Sequence, residues 1–325
     1  MWDILTHSNE KTKMKKPTYI KGDFTKSPAF NNESRLVYGT SGLGGVWGTV
    51  AERDSVDALL YAFENGISAL DTAPSYANAE IYVGMALKEW KGKRPFVSTK
   101  IGRLKGKDAF ETKLDYSVDG LKRSLDNSLK TLGLNKIDLL FLHEPQLVPI
   151  QKIDEILHTL HGFKSEGLVS SIGVGGNPSS EFMPFVTKEN FDVVSGFLHM
   201  DACNLSVFEG EIQTYKKEGI AYYAASALHF SLLGNRFETY KKDGVDGEWI
   251  TQLDLENAIR VKAIADKYNM SLASLSQRYL FSIKEADRVV MGARTPAQIK
   301  ATIDDWNAGK LSEEIFNEIT ASIQK

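Results

Sequence analysis

Four residues that can exchange or steer a proton stand at one kind of place in this chain. Asp71 and Tyr76 follow the short run Ser68-Ala69-Leu70, Lys100 closes Phe96-Val97-Ser98-Thr99-Lys100, and His143 closes the run that begins at Ile137. An ammonium beside a tyrosine favours the tyrosinate and lowers a pKa that is ordinarily about 10. Asp71 would keep Lys100 charged and aimed. His143, presenting an N–H, would hold the oxygen of a carbonyl or hydroxyl against the tyrosine. The four together form an acid/base device for interconverting an alcohol and a carbonyl. No side chain carries a hydride, so a nicotinamide cofactor is implied. Singly, each has a plainer reading: Asp71 as a turn cap, Lys100 as a solvated strand end, Tyr76 as a rim aromatic, His143 as a core histidine bonded to backbone. Their shared placement at strand ends weighs for the chemical reading.

The elements that would place them alternate along the chain. Strands are expected at Leu36 to Thr40, Ser68 to Leu70, Phe96 to Lys100, Ile137 to Leu142, Val169 to Val174, Val193 to Phe197, Ile220 to Ala224 and Arg288 to Met291. Between them the apolar spacing turns helical over Ser55 to Asn65, Ala79 to Trp90, Val118 to Thr131, Ile153 to Glu166, a short segment from Ser179, and Glu209 to Glu218. Further helices are expected over Leu253 to Tyr268, Ser271 to Ser282, Pro296 to Trp306 and from Ser312 onward, after an irregular stretch that runs to about Gln252. Gly66 and Gly133 stop two of the helices as C-caps. Eight strand-helix units predict an α/β fold, the (β/α)8 TIM barrel, with chemistry at the C-terminal strand ends. Residues 1–34, lysine-rich and broken by Pro17, Pro28 and Asn31-Asn32, are expected to form an N-terminal extension with a hairpin closing one end of the core. Residues 35–325 then form a single catalytic barrel domain.

The 325 residues are 42% hydrophobic and 25% charged, with a formal net charge of −3. That balance suits a soluble globular protein and offers no electrostatic case for nucleic acid or an anionic membrane. The single cysteine, Cys203, excludes an intrachain disulfide and a cysteine-based metal cluster, which fits a reducing, cytoplasmic setting. His158 and His161 lie three apart on one helix, but no third ligand accompanies them, so no metal site is expected. The N-terminus, with Lys11, Lys13, Lys15 and Lys16, has no apolar run of signal-peptide or membrane-span length.

The segments Asp71-Thr72-Ala73-Pro74-Ser75-Tyr76, Ser98-Thr99-Lys100 and Leu142-His143-Glu144 resemble, in order and context, the Asp, Tyr, Lys, His tetrad of the aldo-keto reductases. Ile101-Gly102-Arg103-Leu104, Asp115-Tyr116-Ser117, Leu121 to Leu125 and Leu132-Gly133-Leu134 are similar to its aldose 1-dehydrogenase branch. The resemblance runs from about Leu36 to the end. It implies NAD(P)-dependent oxidation of a sugar hemiacetal at C1, in which Tyr76 accepts the hydroxyl proton. The alternatives are NADPH-dependent reduction of aldehydes and ketones, and a cofactor-sensing interaction subunit that keeps the tetrad.

The resemblance also implies cofactor contacts. Asn177 would hold the nicotinamide carboxamide, Ser226 and Leu228 lie in a further cofactor segment, and Gly292, Ala293, Arg294 and Gln298 would take the adenosine phosphate end. A helix N-terminus after small residues suits an anion on physical grounds as well. Gly292 and Gln298 stand where many NADP-using relatives carry lysine and arginine, while Arg294 could supply one bidentate contact, so the cofactor is NADP or NAD. Ala225 replaces the aromatic that stacks on nicotinamide elsewhere in the family. A small-molecule sugar or carbonyl compound is the expected partner of a monomer or small homo-oligomer. Its recognition is expected from the loops, through Trp47, Trp249 and His229 with Phe230, since aromatic faces with a few hydrogen-bonding groups suit a sugar ring.

Overall fold

The computed structural model describes residues 16–107, 111 and 113–323; Lys11, Lys13 and Lys15 of the expected tail lie outside them. Eight parallel strands close in chain order into one barrel: β1 (Leu36–Gly39), β2 (Ala69–Asp71), β3 (Phe96–Ile101), β4 (Ile137–His143), β5 (Val169–Gly175), β6 (Val193–Phe197), β7 (Ala221–Ala225) and β8 (Arg288–Gly292). The ring shuts where β8 pairs β1, Val289 opposite Leu36 through Gly292 opposite Gly39. The helices are α1 (Glu52–Glu64), α2 (Ala79–Glu89), α3 (Val118–Leu132), α4 (Ile153–Ser165), α5 (Glu211–Glu218), α6 (Phe237–Asp243), α7 (Gln252–Lys267), α8 (Leu272–Ser282), α9 (Pro296–Ala308) and α10 (Glu313–Ser322).

Strands buried on both faces should read as unbroken apolar runs, and Leu139-Leu140-Phe141-Leu142 in β4 does. Alternate residues serve two cores. Val37, Ala69, Leu139, Phe141, Val193, Tyr223 and Val290 fill the barrel. Leu140 and Leu142 pack outward with the helices, where α3 buries Leu121, Leu125 and Leu132. Each such leucine contributes about 1.5–3 kcal/mol by leaving water. Phe141 occupies the centre because β5 carries Gly173 beside it, where a Cβ would stand 2.6 Å from the ring.

The floor of the barrel is closed from the N-terminal side. Lys26–Ser27 pairs antiparallel with Glu33–Ser34, and the hairpin between them carries Phe30. Arg288, fully buried at the start of β8, lies between the rings of Phe30 at 4.1 Å and Phe96 at 4.2 Å and donates to the Tyr223 hydroxyl at 2.7 Å. Arg35 ties the hairpin to the α8–β8 connection by donating to the carbonyls of Phe24, Phe281, Ile283 and Ala286.

Two expectations fail. The helix expected from Ser179 is only a 3-10 turn at Met183–Phe185, because Pro184 has no N–H to continue a ladder. The stretch expected to stay irregular up to Gln252 contains α6. No helix among the described residues is long and apolar enough to cross a membrane.

Candidate active site

Register brings the proton-handling residues together at the C-terminal end of the barrel. Asp71 pairs opposite Ser98, and Lys100, two residues on, points to the same side. Lys100 Nζ donates to Asp71 Oδ2 at 2.6 Å and to the Thr72 carbonyl at 2.9 Å, while Asp71 Oδ1 accepts from Ser98 Oγ at 2.9 Å. The Lys100 and Asp71 side chains are only 4% and 7% exposed. The ammonium lies 4.7 Å from the centre of the Tyr76 ring, and the His143 ring stands edge-on to Tyr76 at 6.2 Å. All four residues thus meet in one cluster.

Local backbone devices aim two of them. Tyr76 sits in a turn closed by its N–H on the Ala73 carbonyl and by the Ala79 N–H on its own carbonyl, with Ala77 in the left-handed region at φ 53°. The β1–α1 loop lies directly on this turn. A Cβ on Gly44 would stand 1.9 Å from the Tyr76 carbonyl oxygen, and Asn78 N–H donates to the Gly44 carbonyl. His143 is held from behind: the Tyr116 hydroxyl donates to its carbonyl at 2.7 Å and to that of Glu144 at 3.1 Å, and Arg103 pairs with Glu144 at 2.6 Å. Glu144 is left-handed at φ 58°. Sequence reasoning assigned no role to Gly44, Tyr116, Arg103 or Glu144. Gly44 lies in the glycine-rich run Gly42-Leu43-Gly44-Gly45, while Arg103, Tyr116 and Glu144 stand in segments that carry the family resemblance.

The electrostatics correct one expectation. Burial raises the Tyr76 pKa above 10, Asp71 adds to the rise, and Lys100 opposes it without prevailing, so the resting hydroxyl is protonated. For Lys100, burial is the largest influence and acts downward, yet the carboxylate of Asp71 together with Tyr76 outweighs it and the net shift is upward. Burial, with Lys100 and Arg103 nearby, pushes His143 well below the ordinary histidine value. Its imidazole is neutral, and Nδ1 finds no partner among the described residues. At neutral pH the cluster holds a phenol, an ammonium and a neutral imidazole: the phenol can donate a proton to a carbonyl oxygen, and the reverse, oxidative direction draws on its ionised form.

The expected cofactor residues ring the same mouth. Asn177 follows β5, and its amide donates to the Phe197 carbonyl at 2.7 Å and accepts from the Phe197 N–H at 2.9 Å, with His199 Nε2 3.3 Å away. Ser226 leaves β7 in the left-handed region at φ 64°, and Leu228 packs on the core. Gly292 ends β8 exposed, Ala293 is buried, and Arg294 and Gln298 are exposed at the start of α9, where Thr295 caps the helix and Gln298 Oε1 accepts the Arg294 N–H. The Arg294 side chain runs along Gly42 and Gly48. An exposed glycine leading into a helix N-terminus beside an arginine fits the anionic end of a dinucleotide.

The expected substrate residues divide. Trp47 and Trp249 are 43% and 47% exposed and pack edge-on against Phe230 at 5.7 and 6.1 Å. His229 does not face the mouth. It is 1% exposed, with Nδ1 2.7 Å from Asp201, because a left-handed turn directs the imidazole inward. Its burial and its bond to Asp201 therefore argue against the expected substrate contact from His229.

Known proteins resemble this chain in sequence and fold. The sequence profile of the Aldo/keto reductase family matches residues 35–324. L-galactose dehydrogenase of Arabidopsis thaliana is 27% identical over 304 residues, covering 90% of this chain and 91% of that protein. D-arabinose 1-dehydrogenase of Saccharomyces cerevisiae is 28% identical, covering 83% and 82%. The solved structure of glycerol dehydrogenase from Gluconobacter oxydans superposes with a TM-score of 0.75 at 24% identity, over 93% of this chain and 95% of that one, a likeness of fold. With a family match over nearly the whole barrel, the chain belongs to the aldo/keto reductase family and is an NAD(P)-dependent oxidoreductase.

Proposed function

We propose that the protein oxidises the C1 hemiacetal of a free aldose to a lactone, with residues 35–325 as the catalytic unit. The observation that carries this reading is the buried Lys100–Asp71 pair set against Tyr76. The relatives named for aldose oxidation support the substrate class. A nicotinamide cofactor, when bound, supplies the hydride acceptor. Asn177, Ser226, Leu228 and the segment Gly292, Ala293, Arg294 and Gln298 would hold it.

The chain's own residues handle the proton and the oxygen. Neutral His143 donates an N–H to the C1 hydroxyl oxygen and orients it toward Tyr76. For oxidation Tyr76 must first lose its own proton to solvent; the ammonium of Lys100 stabilises the resulting tyrosinate, which then takes the hydroxyl proton. Asp71 keeps Lys100 charged despite burial, and Ser98 and Thr72 fix the geometry of that pair. Trp47, Phe230 and Trp249 offer apolar ring faces to a sugar.

The test is a screen of free aldoses, including L-galactose, D-arabinose and L-fucose, with NAD⁺ and NADP⁺ in turn, read by nicotinamide absorbance and by identifying the lactone. Turnover of at least one aldose to its lactone is expected. Reduction of simple aldehydes with no aldose oxidised under either cofactor would overturn the reading in favour of a reductase.

A further inference from the structure

A second buried cluster, unused by the tetrad, joins the loops that leave β6 and β7 to the start of α7. His229 Nδ1 lies 2.7 Å from Asp201 Oδ2, and Nε2 lies 3.5 Å from Asp254 Oδ2, with side-chain exposures of 1%, 1% and 5% for the three residues. Both carboxylates are fixed by groups other than His229. Asp201 Oδ1 accepts the N–H groups of Cys203 and Asn204. Asp254 closes a capping box with Thr251 and accepts from Asn204 Nδ2 at 2.9 Å. Asn257 adds a bond from α7 to the Cys203 carbonyl.

The titratable groups facing His229 are Asp201, Cys203 and His199 from the loop after β6 and Asp254 from α7. Burial, the largest influence on His229, acts downward, but Asp201, Cys203 and Asp254 prevail and its pKa rises well above the usual 6.5. Asp254 is drawn down to about 2, against the opposing effect of burial. An imidazolium between two carboxylates is the consistent charge state.

Each arm of the cluster adjoins an aromatic ring. Phe197 ends β6 shortly before Asp201, Phe230 is the neighbour of His229, and Trp249 precedes the Thr251 cap. Those rings touch one another: Phe197 to Phe230 at 5.4 Å, Phe197 to Trp249 and Phe230 to Trp249 each at 6.1 Å, with Trp47 completing the group. Ser226, His229, Phe230 and Ser231 all have positive φ, and none is glycine. Backbone of that kind persists only where its surroundings over-determine it.

We propose that Asp201, His229 and Asp254 form a charged clasp that holds the Phe197–Phe230–Trp249 wall in place at the barrel mouth, making His229 a positioning residue. The wall's use as a substrate surface rests on the activity proposed above; the clasp does not. Asp201, Cys203 and His229 also present ligand atoms within 4.8 Å of one another, the residue types of a zinc site. The direct hydrogen bond between Nδ1 and Oδ2 leaves no space for an ion between those two atoms.

The test compares the full-length wild type with His229→Gln and Asp254→Asn. Hydrogen exchange at neutral pH should speed up about tenfold or more in peptides from Ser226 to Ile250 in His229→Gln, with β2 and β3 peptides unchanged. Because the His229 pKa is raised, the clasp is present at neutral pH and is lost as pH rises through the folded-state value. The tryptophan near-ultraviolet circular dichroism should therefore show an alkaline transition whose midpoint falls in Asp254→Asn and which His229→Gln lacks. For any substrate turned over, KM should rise about tenfold in His229→Gln with kcat held within about threefold. The KM result fails together with the proposed activity, whereas the exchange and dichroism results stand without a substrate. Wild-type exchange in His229→Gln, an unmoved midpoint in Asp254→Asn, or one equivalent of zinc copurifying with the wild type would each overturn the clasp. Should His229→Gln not fold, the Asp254→Asn midpoint decides alone.

Discussion

Replacing Asp71 by Asn removes one charge from the most buried part of the active site and leaves its shape nearly intact. At 2.6 Å the Asp71–Lys100 attraction is about 6 kcal/mol at an effective dielectric of about 20, before the cost of desolvating both groups. Breaking one partner of a buried pair typically costs about 3–5 kcal/mol. Lys100 keeps its bond to the Thr72 carbonyl, so about 3 kcal/mol is the expected loss in urea unfolding at neutral pH. The kinetic signature is more specific. Burial is the largest influence on Lys100 and acts downward, so losing the adjacent carboxylate of Asp71 lets its pKa fall. Sign follows directly. In the wild type the raised Lys100 pKa keeps the ammonium, and its contribution to stability, present through neutral pH and until strongly alkaline pH. In Asp71→Asn burial is no longer outweighed, so the ammonium is lost at a lower pH than in the wild type, and kcat/KM for oxidation should turn downward there while the wild type continues to climb. An unfolding free energy within about 1 kcal/mol of wild type together with an unchanged pH profile would refute the role given to Asp71.

Tyr76→Phe should lower kcat by about 10²–10⁴ while cofactor binding, followed by protein fluorescence, persists; turnover within a few-fold of wild type would remove Tyr76 from the proton path. Wild-type oxidation should rise with pH without a plateau below about 10, because burial holds Tyr76 protonated beyond that value. Its profile should also lack an inflection near about 6.5, since His143 is already neutral there, and such an inflection abolished in His143→Gln would contradict the neutral imidazole. Gly44→Ala should cost about 1–3 kcal/mol of stability and depress kcat with all four tetrad residues intact, because its Cβ meets the Tyr76 carbonyl. Full activity in that variant would show that the β1–α1 loop does not position Tyr76.

Much of this architecture was legible in residue patterns, for a physical reason. Strands such as Val193–Phe197 and helices such as Val118–Leu132 answer to local apolar periodicity, and the tetrad sits where β2, β3 and β4 end, so both are written in short stretches. What escaped was written at long range. His229 looks like a rim residue from its place after β7, but its partners Asp201 and Asp254 lie on other loops, and only the left-handed turn decides which way the ring points. The Tyr76 pKa differs from expectation for the same reason. Spacing shows the ammonium beside the phenol and says nothing of how completely the barrel excludes water. Pro184 is a signal in the sequence itself against a helix after Ser179.

The stacking of Phe30 and Phe96 on Arg288 bears on how the chain is made. Phe30 leaves the ribosome early, yet the guanidinium that fills the gap between the two rings belongs to the last strand. The same strand carries the hydrogen bonds that shut the ring against Leu36–Gly39. Until residue 292 has emerged, the nascent sheet keeps two open edges and an unplugged base, a state prone to wrong pairing. A chain interrupted anywhere before β8 therefore lacks both seals at once, and synthesis of the final strand is the event that converts an open sheet into a closed vessel.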